Sequence, residues 1–94
     1  MSNEETIAQL FDLAIAAERF GESLYRGLAA RFAHNPEVAD FWQTYAEEEV
    51  RHAQWLEQIR QAASPEVLAT PADPQMLKEA QKILSYSLLY FRSF

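Results

Sequence analysis

A carboxylate and an imidazole three residues apart share one face of a helix and can close on a cation between them. Glu49 and His52, within Glu47-Glu48-Glu49-Val50-Arg51-His52, have that spacing. Extended in both directions the face reads Val38, Trp42, Tyr45, Glu49, His52, Leu56 and Ile59, in alternating steps of four and three. The two polar groups therefore fall on an otherwise apolar seam. A carboxylate taken out of water without a partner is costly, so the seam implies either a compensating cation or a different helix phase. On the neighbouring stripe Phe41, Tyr45, Glu48, His52, Trp55, Ile59, it is Glu48 that stands beside His52. Glu49 is the preferred partner, with Glu47 and Glu48 solvated and Glu47 able to pair with Arg51.

The helix before it carries a matching anomaly. Ser2 and Glu5 have capping-box spacing, and apolar residues then keep helical period, so a helix is expected over 3–33. Its seam is Ile7, Phe11, Ala14, Glu18, Gly21, Tyr25, Leu28 and Phe32, with Glu18 where an apolar residue belongs. Gly21 and Gly27 each cost the helix roughly 1 kcal/mol relative to Ala, and close approach of a neighbour at Gly21 is the expected reason. Asn35-Pro36 ends this helix and starts the next, expected over 36–62. So short a connection makes the two helices antiparallel neighbours.

Counted from Asn35, Glu18 and His52 are both 17 residues away and Glu49 is 14 away. All three then lie at one height, roughly 20–25 Å from the turn, and are expected to meet in a dry pocket as ligands of one metal site. Tyr25 and Tyr45 match one layer nearer the turn. Glu22, Tyr25, Tyr45 and Glu48 border the ligands. Glu22, one turn beyond Glu18, is either a bordering carboxylate or a surface one. The bland alternatives are a solvated Glu18 and a His52 bonded within an ordinary core. His34 is expected at a helix C-terminus, where the dipole favours it.

Composition narrows the chemistry. There is no cysteine, which removes disulfides, thiolate zinc sites, iron–sulfur centres and thiol catalysis, and leaves oxygen and nitrogen to hold any metal. A net charge of −6 argues against nucleic acid and favours cations. No apolar run reaches the roughly 18 residues of a membrane span and no signal-peptide pattern opens the chain, so a soluble, cytoplasmic protein without a membrane partner is expected. The 94 residues, 49% hydrophobic with two glycines, suit one small all-α domain with a thin core, for which partner chains are expected. Pro65 and Pro71 mark a connector over 64–73, and Asp73-Pro74 opens a last amphipathic helix over 74–92. Its end, residues 85–94, is aromatic enough to need a docking surface. That helix has no Glu-x-x-His.

Glu18, Glu49 and His52 are half of the ligand set of a ferritin-like bundle, in which two helices each give a Glu and two each give a Glu-x-x-His. Ala14-Ile-Ala-Ala-Glu18-Arg-Phe-Gly-Glu22-Ser-Leu-Tyr25, followed by Ala46-Glu-Glu-Glu49-Val-Arg-His52-Ala, resembles the first helical pair of rubrerythrin-like and ferritin-like di-iron proteins. The short chain with one motif set is also similar to the encapsulated ferritins. The resemblance spans about Ile7 to Ile59. It implies an antiparallel hairpin plus a further helix forming a half-bundle, completed to four helices by a homodimer or higher homo-oligomer. It also implies iron, two ions per shared site, with manganese or zinc as alternatives, and ferroxidase chemistry or peroxide reduction. A surrounding shell protein is a further implied partner. The rubredoxin centre usual in rubrerythrins needs cysteine, which is lacking here. A longer rubrerythrin-like peroxidase with these residues as its front part stays open, as does a metal-free or structurally metallated helical oligomerisation module.

Overall fold

The computed structural model describes residues 5–82, and these form helices with no strand among them. Helix α1 is Ile7–Arg31. Its cap is Thr6 rather than Ser2. The Thr6 side chain accepts from the Gln9 N–H at 3.4 Å while the Gln9 amide oxygen accepts from the Thr6 N–H at 2.6 Å, a capping box one turn later than expected. The physical reason is tertiary. Residues 5 and 6 are tied to the connector, so α1 starts only at Ile7; Ser2 lies outside the described residues.

Helix α2 is Pro36–Ala62. Asn35 caps it through Val38 N–H at 3.4 Å, and Pro36 sits at the first position, where its missing donor has no cost. Three residues separate Phe32, the C-cap of α1, from Pro36, and α1 packs antiparallel along α2.

The face of α2 turned to α1 is rotated from the expected seam. Ala46 and Ala53, two turns apart, are completely buried, with Trp42, Glu49 and Leu56 half-buried beside them. Small side chains let the two backbones approach, and the helix turns to bring them to the line of contact. Tyr45, His52 and Ile59 are thereby moved to the flank, where they join Phe41 and Trp55 on an exposed stripe. Phe41 is 53% exposed and Trp55 62%. Two ion pairs cross the hairpin, Arg60 Nε to Asp12 Oδ1 at 3.0 Å and Arg19 Nη2 to Glu57 Oε1 at 3.1 Å. Their side chains are partly exposed, so each pair contributes about 0–1 kcal/mol and chiefly fixes register.

The connector is not wholly irregular. Ser64 caps a short helix, α3 (Pro65–Ala69), by accepting from Val67 N–H at 3.2 Å. The chain then runs extended against the start of α1, with Ile7 N–H donating to Thr70 O and Ala72 N–H to Glu5 O, both at 2.8 Å. A fourth helix, α4, starts at Pro74 under an Asp73 cap and is described to residue 82. The remainder of the helix expected over 74–92, with its aromatic end, lies outside the described residues. Ala72 and Leu77 are buried under this crossing. No helix among the described residues is long and apolar enough to cross a membrane.

Among the described residues Gly27 has no neighbour within 4 Å of where a Cβ would stand, and its φ is ordinary. Gly27→Ala should therefore stabilise the protein by about 0.5–1 kcal/mol through helix propensity alone, read as a rise in melting temperature by circular dichroism.

Candidate metal centre

The hairpin brings Glu18, Glu49 and His52 together. His52 Nδ1 lies 3.4 Å from Glu18 Oε2 and 3.8 Å from Glu49 Oε1, and one ligand atom from each residue falls within 4.8 Å of the other two. Glu18 comes from the middle of α1 and the other two from consecutive turns of α2, so antiparallel pairing at matched height is what assembles them. The expectation of a dry pocket is corrected. No charged side chain is fully buried among the described residues; Glu49 is 19% exposed, Glu18 28% and His52 55%. Rotation of α2 about its alanines is the cause, because it leaves His52 on the rim, opening toward the Phe41–Ile59 stripe.

The Glu49 carboxyl is strongly perturbed. Burial pushes its carboxyl up to about 8 from 4.5, with the Glu18 carboxylate beside it adding to the rise and Glu48 contributing less. At neutral pH the metal-free site therefore holds a proton on Glu49. Because the folded value lies above the ordinary one, the folded chain binds a proton that the unfolded chain has already released. The resulting stabilisation is full below about pH 4.5 and is lost as pH rises through about 8. A divalent cation stabilises the ionised pair, so its binding should expel close to one proton per ion at pH 7, falling toward none above pH 9. Titration calorimetry in buffers of different ionisation heat measures this, and pH-independent binding would contradict it.

The bordering residues divide. Glu22 is committed elsewhere: Arg26 Nε donates to it at 2.9 Å and Arg19 Nη1 at 3.2 Å, and the Arg26 hydrogen bond first, then Arg19, hold its carboxyl below the usual range against the opposing effect of burial. Arg19 reaches on to Glu57, so Glu22 belongs to an ion-pair chain beside the site. The i,i+4 spacing of Glu22 and Arg26 was legible in the sequence, whereas the link to Glu57, 38 residues after Arg19, was not. Glu48 points to solvent and pairs with Arg51 at 3.3 Å, taking the partner expected for Glu47. His34 lies exposed beyond the end of α1.

Tyr25 and Tyr45 do meet, with ring centroids 5.7 Å apart, and Tyr25 stacks on Trp42 at 5.6 Å. Phe41 closes the group, 4.9 Å from Tyr45 and 5.0 Å from Trp42. This aromatic wall bounds the site on the side of the turn. Burial, then the Glu49 charge, raises the Tyr25 hydroxyl above its usual value and keeps it a donor at neutral pH.

Two carboxylates and an imidazole, one carboxylate kept protonated by the other and by burial, form a donor set that fits a divalent cation with oxygen and nitrogen preference. An antiparallel helix pair with a Glu on one member and Glu-x-x-His on the other defines the ferritin-like class of all-α protein. The family model described as Rubrerythrin matches residues 9–87, and the chain belongs to that family. No curated protein and no solved structure matches the chain significantly. Membership points to a di-iron carboxylate protein, in a family that typically binds iron.

Proposed function

We propose that this chain is half of a di-iron carboxylate site and that two copies, antiparallel across the His52 side, oxidise Fe(II) to Fe(III) with dioxygen or peroxide. The observation that carries the reading is the convergence of Glu18, Glu49 and His52. Three ligands from one chain are half of what two metals take in a ferritin-like bundle, so a second chain contributing the same three completes the set. The face a second copy would cover borders the site. Phe41, Tyr45, Trp55 and Ile59 are exposed on the same flank of α2 as His52, and such a stripe marks an interaction surface.

In this arrangement Glu18 and Glu49 would hold the metals through carboxylate oxygens and His52 through a ring nitrogen. Two Fe(II) ions supply two electrons, enough with two protons to take one peroxide to two waters. Glu49 would give up its proton as the cation arrives. The aromatic wall of Tyr25, Trp42 and Tyr45 bounds the site on the side of the turn. Iron is favoured over manganese and zinc by family membership, since the donor set accepts all three.

Anaerobic Fe(II) titration of the purified protein, followed by oxygen-uptake measurement, is the test. Saturation near one iron per chain with oxygen consumed in proportion supports the reading. Uptake without saturation, or a native protein that carries zinc by elemental analysis and consumes no oxygen, removes the oxidase function.

A further inference from the structure

The two glycines of α1 sit in the same helix with ordinary backbone angles, so neither is there for conformational freedom. Their surroundings differ. A Cβ on Gly27 would meet no atom of the described residues within 4 Å, while one on Gly21 would stand 2.9 Å from Glu49 Oε2, 3.3 Å from its Cδ and 3.4 Å from its Cγ. The whole end of the Glu49 side chain therefore lies across the bare backbone of Gly21. Gly21 is also one turn from Glu18 on the same stripe, so the depression it leaves is next to the other carboxylate. Any side chain there lifts Glu49 away from α1 and changes its distance to Glu18 and His52.

We infer that Gly21 is a positioning residue for the metal site: its missing side chain seats Glu49 against α1 and so sets the separation of the three ligands. This rests on the metal-binding reading, and Gly21 touches no metal itself. The helix tolerates an interior glycine because the site needs the space.

The test uses cobalt(II) as probe, with affinity from chelator competition and ligand geometry from the visible absorption spectrum. Gly21→Ala should weaken cobalt binding roughly 10–100-fold, as loss of ligand support does elsewhere, and change the spectrum. Gly27→Ala should leave both unchanged. A metal-free comparison accompanies it: Gly21→Ala should raise the melting temperature less than Gly27→Ala does, and the deficit should disappear in a Glu49→Ala background. Equal affinity and spectrum in Gly21→Ala and the parent overturn the role of Gly21, as does a deficit that persists without Glu49. A parent protein that takes up no saturable cobalt instead removes the metal reading, and the positioning role with it, whatever the melting curves show.

Discussion

Replacing His52 by alanine should lower iron affinity by more than about 100-fold, since loss even of a ligand's supporting partner costs roughly 10–100-fold, and should abolish oxygen uptake with the fold intact. The side chain is 55% exposed on the flank of α2, with its Nδ1 facing the carboxylates of Glu18 and Glu49. Its loss should therefore shift stability by no more than about 0.5 kcal/mol. Glu49→Gln makes the complementary case. It removes a ligand charge while keeping shape, and at neutral pH it mimics the protonated carboxyl that the metal-free site already holds. Iron binding should fail, and the decline of metal-free stability between about pH 4.5 and 8 should flatten, because the group responsible no longer titrates. Chemical denaturation at a series of pH values, beside iron titration, reads both. Undiminished binding in His52→Ala would show that the three side chains meet for structural reasons only. Glu18→Leu and His52→Leu that melt higher while keeping the oligomer and binding no less iron would favour a metal-free helical module instead.

Trp55→Glu tests the second copy. Trp55 is the most exposed large hydrophobic residue described, 62% exposed and one turn beyond His52, so it contributes little to the single chain. A charge placed there should weaken self-association by roughly 30-fold or more, the ~2 kcal/mol typical of an aromatic hot spot. Iron oxidation should fall with it although Glu18, Glu49 and His52 are untouched. Sedimentation equilibrium at several concentrations, paired with oxygen uptake, separates the two halves of the claim. An unchanged mass and unchanged activity in Trp55→Glu would move the interface elsewhere. A monomeric variant with full activity would show that one chain suffices.

The hairpin was readable because its signals are local. Asn35-Pro36 stops one helix and starts another within two residues, and equal counts outward from it place Glu18 beside His52 through nothing more than the fixed rise of a helix. Heights along a helix accumulate reliably, but angles do not. The expected seam through Tyr45, His52 and Ile59 is turned from the true contact, because the choice between neighbouring stripes is made by which residues let the partner backbone come closest. Ala46 and Ala53, which a search for large apolar side chains passes over, decide it. The Thr6 cap was hidden for a related reason: Ser2 and Thr6 both have suitable partners three residues on, and only the return of the connector at Thr70 and Ala72 selects between them.

From composition and spacing alone came the all-α class, the absence of thiol chemistry, the two long helices and the identity of three residues brought to one layer. Tertiary packing decided what those residues experience. It left His52 at the rim instead of in a sealed core, bound Glu22 to two arginines, and laid Glu49 across Gly21. The periodicity of a chain sets which side chains can meet, whereas the distance between backbones, set by the smallest residues at the contact, determines how deeply they are buried and which way the site opens.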